Sequence, residues 1–379
     1  MSWQAWAERE LDAIRASGRW RQPRDVDSMG PAGRLSADGH PVVSFASNDY
    51  LGLSAHPAVR AAAAEALERW GTGSGSARLI VGSRPVHSDL EEELAQWRGT
   101  EAAVLFPTGF AANLGVLGVV GGAGVTIVSD ALNHASIIDG CRLARAEVKV
   151  CRHGDVDHLD SLLAAAPGPT VFVTDTVFSM DGDVAPLADI AALCRRHGAL
   201  LVLDEAHAVL GPPLPDIADL EVLRVGTLSK TFGSLGGFVA GPAALCRLIV
   251  NRARSYIFTT APTPADAAAA LGALRVLRSP EGDGLMARLR AHIERIAPGH
   301  PSPIVPLVLG DEAAAVAAAD ALLSAGLLVP AIRPPTVAPG SSRLRVTLSA
   351  AHTHAQIDSL LSALAALGLD VPRLVVSSA

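Results

Sequence analysis

Short apolar runs and segments with apolar residues three or four positions apart follow each other in turn through the middle of the chain. The runs predict strands and the spaced segments predict helices. Strands are predicted over 102–106, 125–129, 170–174, 199–203 and 222–225, and helices over 87–98, 109–120, 134–144 and 187–197. Such alternation is typical of a mostly parallel sheet with helices on both faces. Because these sheets bind ligands beyond the carboxyl ends of their strands, the residues there are the first candidates for a site.

The flanking regions differ from this pattern. An amphipathic helix is predicted over 3–17, an arginine-rich loop follows it, and a helix over 57–70 precedes the alternating part. Near Ser279 the pattern resets, and strands over 304–309, 327–332 and 344–348 precede a last helix over 353–367. The chain is therefore predicted to be an α/β protein with an N-terminal helix and arm (1–45), a large domain (46–280) and a smaller α+β domain (281–379).

Composition excludes several classes of function. The net charge of −7 and the lack of basic runs argue against a nucleic-acid partner. No apolar run is long enough to span a bilayer, and the N-terminus is charged where a signal peptide would be apolar, so we expect a cytoplasmic protein without membrane partner. The four cysteines are far apart without CxxC spacing, and the histidines lack ligand spacing, so neither disulfides nor a metal site are expected.

Lys230 is one of only two lysines, although Lys and Arg together number 31. An arginine stays protonated, whereas a desolvated lysine can lose its proton and form a Schiff base. Lys149 lies in an alternating run and suits a solvated surface position. Lys230 follows a predicted buried strand and a small-residue turn, and it is the better candidate for a nucleophilic amine.

Three further strand ends carry polar groups. Asp204, Glu205 and His207 close a buried strand, although an aspartate there can simply cap the next segment. Gly109 opens a helix after a strand, where free backbone N–H groups can hold a phosphate, although any such turn can carry glycine. His134 follows another strand end, where a helix cap and a ligand contact are equally good interpretations.

A lysine for a Schiff base, an aspartate for a pyridinium proton, a phosphate cradle and a flat imidazole together suit pyridoxal phosphate. The motifs extend this picture, since SNDYLGL, HSDLEEELA, TGFAANLGVL, VFSMDGDVAPL, LDEAHAVLG, TLSKTFG, AIRPPTVAPG and RLRVTLSAAHT occur in the order in which one enzyme family has them. The chain thus resembles the α-oxoamine synthases, which are fold-type I pyridoxal-phosphate enzymes.

The resemblance implies a role for each matching residue. Lys230 would carry the cofactor, Asp204 would face its pyridine nitrogen and His134 would stack on its ring. His207 and Ser179 would contact its phenolic oxygen. The phosphate would be held by Thr108, Gly109 and Phe110, with Thr227 and Ser229 nearby. Arg345 would bind the amino-acid carboxylate, and Arg19, Asn48, Arg333 and Thr336 would lie near substrate.

The implied reaction is a decarboxylative condensation of L-alanine with a pimeloyl thioester, carried by coenzyme A or acyl carrier protein. The resemblance also implies a homodimer whose sites lie at the interface. Sister synthases that use glycine or serine are the nearest alternatives. An aminotransferase or aldolase on the same scaffold, or a non-catalytic cofactor-binding subunit, are more distant ones.

Overall fold

A computed structural model describes residues 2–215, 217, 219–369 and 371. The strands are β1 Val26–Ser28, β2 Ala32–Leu35, β3 Pro41–Ser44, β4 Ala102–Phe106, β5 Thr126–Asp130, β6 Glu147–Cys151, β7 Thr170–Asp175, β8 Leu200–Asp204, β9 Val222–Thr227, β10 Gly237–Gly241, β11 Ile304–Gly310, β12 Leu327–Leu328, β13 Ala331–Ile332 and β14 Ser342–Thr347. The helices are α1 Trp3–Ala16, α2 Pro57–Trp70, α3 Pro85–Arg98, α4 Gly109–Val120, α5 Ala135–Leu143, α6 Val156–Ala164, α7 Leu187–His197, α8 Ala243–Arg252, α9 Arg254–Ile257, α10 Pro264–Leu277, α11 Pro280–Ile296, α12 Glu312–Ser324 and α13 His354–Ala366.

Seven strands form the central sheet, in the order β4-β10-β9-β8-β7-β5-β6. All are parallel except β10, which runs antiparallel to both neighbours. This confirms the predicted mostly parallel α/β sheet. Strands β6 and β10 were not predicted from the sequence. The first is a half-exposed edge strand without a continuous apolar run, and the second begins with glycine, which is uncommon within strands.

The parallel strands bring several predicted residues to one edge of the sheet. Asp204 is the last residue of β8, and Lys230 follows the end of β9 by three residues. At the start of α4 the Thr108 hydroxyl accepts the Ala111 N–H, and at the start of α5 a His134 ring nitrogen accepts the Ser136 N–H. Both caps satisfy N–H groups that a helix start leaves unpaired.

The single strand predicted over 327–332 is wrong, because the structure has two short strands there in different sheets. β12 pairs with β3 and extends the N-terminal sheet β1-β2-β3-β12, whereas β13 pairs with β14 in the sheet β11-β14-β13. Pro330 lies between them and has no N–H to continue a ladder. Its carbonyl instead accepts the Arg345 N–H at 3.0 Å. The predicted N-terminal arm is thereby joined by a sheet to the C-terminal part.

The largest core cluster includes residues from the N-terminal, central and C-terminal parts of the chain, such as Phe45, Leu90 and Leu344. Half of the buried residues of helix α10 are alanines, and the helix packs closely on α2. No helix among the described residues is long and apolar enough to cross a bilayer.

Candidate active site

A cavity of about 220 Å³ lies beyond the carboxyl ends of the central strands. Its lining consists of residues from four strand ends and from the starts of α4 and α5. These are Thr108, Gly109, Phe110, Asn113, His134, Ser136, Asp175, Asp204, Ala206, His207, Gly226, Thr227, Ser229 and Lys230. Nine of the residues singled out from the sequence are therefore brought together here.

Lys230 extends towards the middle of this group, where its Nζ lies 2.8 Å from His207 Nε2. Burial lowers the pKa of Lys230, while Asp204 and Asp175 raise it and Arg345 lowers it further. The structure thus favours the neutral, nucleophilic amine more than water does.

A chain of hydrogen bonds leads from Lys230 to Arg345. His207 Nδ1 lies 2.5 Å from the Tyr50 hydroxyl, which donates to Asn48 Oδ1 at 3.2 Å, and Arg345 Nη2 donates to the same oxygen at 3.2 Å. Because Tyr50 and Arg345 both donate to Asn48, the Tyr50 oxygen is left to accept the Nδ1 proton of His207, and Nε2 then accepts from Lys230. This direction requires a neutral imidazole. Burial, Lys230, Arg345 and His134 hold the pKa of His207 well below its ordinary value, in agreement.

Arg345 is 5% exposed, and no carboxylate among the described residues lies within ion-pair distance of it. Its other contacts are the Ser179 carbonyl at 2.6 Å and the Thr347 hydroxyl at 2.9 Å. Burial lowers the pKa of Arg345, and Tyr50 opposes the shift. A buried guanidinium with only neutral acceptors is a site that favours an anion.

Asp204 lies at the base of the cavity and is 5% exposed. Its Oδ2 accepts from Asn113 Nδ2 at 2.7 Å, and its Oδ1 accepts from the Ala206 N–H at 2.9 Å. Asp175 is a second buried carboxylate close by, whose Oδ2 accepts the His134 N–H at 2.8 Å. Burial and the neighbouring Asp204 raise the pKa of Asp175 well above its ordinary value. The two carboxylates together make this end of the cavity favourable for a proton or a cationic ring nitrogen.

His134 forms one wall of the cavity. Its Nδ1 accepts the Ser136 N–H at 3.2 Å, so that a neutral ring carries its proton on Nε2. Burial lowers the pKa of His134, Asp204 opposes this, and Lys230 adds to it. The flat, neutral ring can stack on an aromatic ligand, and Phe110 contacts its edge with ring centroids 6.4 Å apart.

The opposite end is built to hold an anion. The N–H groups of Gly109 and Phe110 begin α4 and have no partner within the helix. The hydroxyls of Thr227 and Ser229 lie 2.7 Å apart beside them. A Cβ on Gly109 would lie 3.1 Å from Thr227 Cβ, so a larger residue here would press on Thr227 and narrow the cradle.

These groups fit pyridoxal phosphate. The cradle at α4 suits its phosphate, the carboxylate of Asp204 suits its ring nitrogen, and Lys230 supplies the amine. The buried Asn113 Oδ1 has no hydrogen-bond partner among the described residues, so the base of the cavity also has an acceptor to spare for a donor.

Of the residues predicted to contact substrate, five are absent from the lining of this cavity: Arg19, Asn48, Arg333, Thr336 and Arg345. Asn48 and Arg345 are nevertheless linked to His207 through the hydroxyl of Tyr50. Arg19 forms an ion pair with Glu312 at 2.8 Å, and Arg333 donates to the Gly18 carbonyl at 2.5 Å. Arg19 and Pro335 line another cavity, of about 510 Å³, beside α1, which shares no residue with the first. Thr336 is exposed, with its N–H bonded to the Arg333 carbonyl at 3.1 Å. Ser179 is also absent from the first cavity's lining, and its recorded contact is the carbonyl that accepts from Arg345.

Sequence reasoning missed four residues of the site: Tyr50, Asn113, Ser136 and Asp175. Asn113 lies one helical turn after Gly109, so the spacing along α4 could have placed it beside the cavity. Asp175 ends β7 as Asp204 ends β8, and the two residues are paired in register. Tyr50 gave no local signal, because its contact with His207 joins residues 157 positions apart.

Comparisons with known proteins agree with this site. Residues 40–364 match the family described as aminotransferase class I and II. The chain is 48% identical to the 8-amino-7-oxononanoate synthase of Anaeromyxobacter dehalogenans over 97% of this chain and 96% of that one. Among solved structures, the serine palmitoyltransferase of Sphingomonas wittichii matches with a TM-score of 0.87 and 33% identity, covering 96% of this chain and 97% of that one. The 8-amino-7-oxononanoate synthase of Francisella tularensis matches with a TM-score of 0.72 and 26% identity, covering 86% and 98%.

The fold and the site define a fold-type I pyridoxal-phosphate-dependent enzyme, as predicted. The chain belongs to the aminotransferase class I and II family and, within it, to the group of its 8-amino-7-oxononanoate synthase relatives. It is a pyridoxal-phosphate-dependent acyltransferase.

Proposed function

We propose that the protein condenses L-alanine with a pimeloyl thioester to give 8-amino-7-oxononanoate, CO2 and the free thiol carrier, in biotin biosynthesis. The observation that carries the amino-acid half is Arg345, which is buried without a carboxylate partner among the described residues and linked through hydrogen bonds to Lys230. The names of the 48% identical relatives support the acyl half.

Arg345 would hold the carboxylate of alanine. A carboxylate between its guanidinium and Asn48 would gain charge-assisted hydrogen bonds that Arg345 otherwise lacks. Holding this group fixes the orientation of the Cα–H bond relative to Lys230.

Pyridoxal phosphate, when bound, supplies an electron sink for the pair released at the alanine Cα. Asp204 would hold the ring nitrogen protonated, supported from behind by Asn113 and the Ala206 N–H. His134 would stack on the ring, and the start of α4 would bind the phosphate.

Lys230 would remove the Cα proton as a general base. Its amine has a lowered pKa because of burial, and neutral His207 accepts one of its hydrogen bonds and so orients it. The Cα would then form a bond to the thioester carbonyl carbon, and the carrier would leave as a thiol. The carboxylate held by Arg345 would leave as CO2, and the Cα, which keeps the electron pair of the broken bond, would take up a proton.

The acyl chain needs a second region. The cavity beside α1 is lined mainly by apolar atoms, to which Leu11, Ile14, Trp20 and Pro335 contribute, and its charged lining residues are Glu10, Arg19 and Arg21. We propose that Arg19, Arg333 and Thr336 face the distal end of the pimeloyl group, where a carboxylate or its ester would lie.

A homodimer is also part of the proposal. Leu79, Ile80 and Val81 are 50%, 72% and 69% exposed in succession, and Phe258 nearby is 71% exposed. Monomeric proteins rarely expose apolar side chains in such a group, and a second copy would cover them.

The three-part division at residues 45 and 280 and the cytoplasmic location stay predictions. All four cysteines are free and buried, which supports a reducing compartment.

A product analysis tests the proposed function. The purified enzyme would be incubated with alanine, glycine or serine and a panel of thioesters, each carried by coenzyme A and by acyl carrier protein, and products identified by mass. We expect alanine with pimeloyl thioester to exceed the other pairs by about tenfold or more, which is what one methyl-sized difference supplies. If glycine with acetyl-coenzyme A is the best pair, the chain is a 2-amino-3-oxobutyrate ligase and the substrate assignment fails.

A further inference from the structure

Behind the wall of the active site, His153 bridges two buried carboxylates. Its Nδ1 lies 2.9 Å from Asp130 Oδ1, and its Nε2 lies 2.8 Å from Asp183 Oδ2. The side chains of His153, Asp130 and Asp183 are 27%, 6% and 10% exposed. The ring also stands edge-on against Phe178, with centroids 4.4 Å apart.

The two carboxylates belong to two segments that connect to residues of the active site. Asp130 begins the segment 130–134, which we call the His134 loop. Asp183 belongs to the segment 176–185, which we call the Ser179 hairpin, because Val177 pairs with Val184 and the Phe178 N–H bonds to the Asp183 carbonyl at 3.0 Å. Among the described residues, His153 is the only one whose side chain is hydrogen-bonded to both Asp130 and Asp183.

Each segment leads directly to the active site. In the His134 loop, Asp130 Oδ1 also accepts the Leu132 N–H at 2.8 Å, two residues before His134. In the Ser179 hairpin, the Ser179 carbonyl accepts from Arg345 Nε. A shift of Asp130 would therefore move the ring of His134, and a shift of Asp183 would move Arg345.

We infer that His153 is a positioning residue. Its ring, hydrogen-bonded to both Asp130 and Asp183, holds the His134 loop and the Ser179 hairpin at a fixed separation and so aligns His134 and Arg345 in the active site. This inference rests on the proposed roles of those two residues.

The electrostatics agree with a cationic link. Burial alone would lower the pKa of His153, but the hydrogen bonds to Asp130 and Asp183 raise it to about 10. Both nitrogens can then donate, one to each carboxylate. The other titratable groups at this place are Asp155 and Arg152, which bond to each other at 2.7 Å, His300, whose pKa burial lowers although Asp183 opposes the shift, and the Cys151 thiol, whose pKa burial and the nearby Asp130 and Asp155 raise to about 11. Neither Asp155 nor Arg152 bonds to His153, so the ring is the cation between the two carboxylates.

The test uses the holoenzyme and the variant His153→Gln, with His197→Gln as matched control. His197 also bonds to an aspartate, Asp160 at 2.6 Å, but that pair joins α7 to α6 and does not touch either segment. Two readouts are measured besides melting temperature: the visible circular dichroism of the bound cofactor, which reports the ring environment made by His134, and the alanine concentration that half-saturates the spectral change on binding.

We expect His153→Gln to lower the cofactor dichroism and to raise the half-saturating alanine concentration by about tenfold, as misplaced binding groups do. His197→Gln should change neither, even where it lowers the melting temperature equally. A folded His153→Gln enzyme that loses stability but keeps both readouts has only a structural contact at this position, and the inference fails.

If His153→Gln does not fold, two milder variants still test the inference. Asp130→Asn should alter mainly the dichroism, and Asp183→Asn mainly the alanine binding. If Asp183→Asn changes the dichroism as much as Asp130→Asn and leaves alanine binding unchanged, the assignment of the two segments is wrong. The dichroism requires only the cofactor, so it still decides the matter if alanine is not the substrate and the wild type shows no alanine response.

Discussion

Replacing Asp204 by asparagine separates the chemistry of the site from its stability. The carboxylate accepts from two donors, Asn113 Nδ2 and the Ala206 N–H, one on each oxygen. An asparagine has one oxygen, so it can accept from one of them and must turn its NH2 group towards the other. The lost charge-assisted hydrogen bond costs about 1.5–3 kcal/mol. Removing one of two neighbouring buried carboxylates offsets part of this cost, because Asp175 then loses the charge that raises its pKa.

The effect on catalysis has no such compensation. The ring nitrogen of the cofactor would face an amide, which cannot stabilise a pyridinium as a carboxylate does. A loss of about 1.5–3 kcal/mol corresponds to a decrease of about 10- to 160-fold in rate, and the weaker electron sink should add to it.

The assay is the exchange of the alanine Cα–H for deuterium, followed by NMR in D2O without acyl donor. Asp139→Asn serves as control, since Asp139 is a half-exposed residue on α5 that forms an ion pair with Arg142. An Asp204→Asn enzyme that binds cofactor and exchanges the Cα–H at the wild-type rate would refute the role given to Asp204.

The remaining predictions concern the nucleophile, the acyl site and pH. Lys230→Ala should keep the fold and abolish turnover. In the unmodified enzyme, borohydride reduction should attach the cofactor to the peptide that contains Lys230, and attachment at Lys149 would show that the site lies there instead. Arg19→Ala should raise the KM for the acyl donor more than the KM for alanine. Glu312→Gln, which frees Arg19 from its ion pair, should not raise the KM for the acyl donor. If Arg19→Ala raises both KM values equally, the role given to Arg19 is wrong. The pKa values of His207, His292 and His352 are lowered in the folded protein, so at these sites the unfolded chain binds more protons below about pH 6.5. His153, whose pKa is raised, acts in the opposite direction but is a single group. Thermal melts should therefore show stability lost as pH falls from 7 to 5.5, and an unchanged melting temperature would contradict this.

Local patterns in the sequence determined the layout of the central sheet and its helices. Helix α2 and strand β4 begin and end where their apolar spacing and flanking glycines predict, because both signals act within a few residues. The candidates at the strand ends, Lys230, Asp204 and His134, also followed from the sequence, since parallel strands bring their carboxyl ends to one edge. Lys230 in particular could be predicted as a functional residue, because only one other lysine is present in the chain.

Only the tertiary structure decided which distant residues contact each other. The bonds from Lys230 through His207, Tyr50 and Asn48 to Arg345 join positions up to 297 apart, and no local periodicity records such a contact. The division of 327–332 between two sheets was likewise invisible, because β12 and β13 have two residues each and their partners lie elsewhere in the chain. A strand of that length gains its stability from the strand beside it, so its sequence alone cannot specify it.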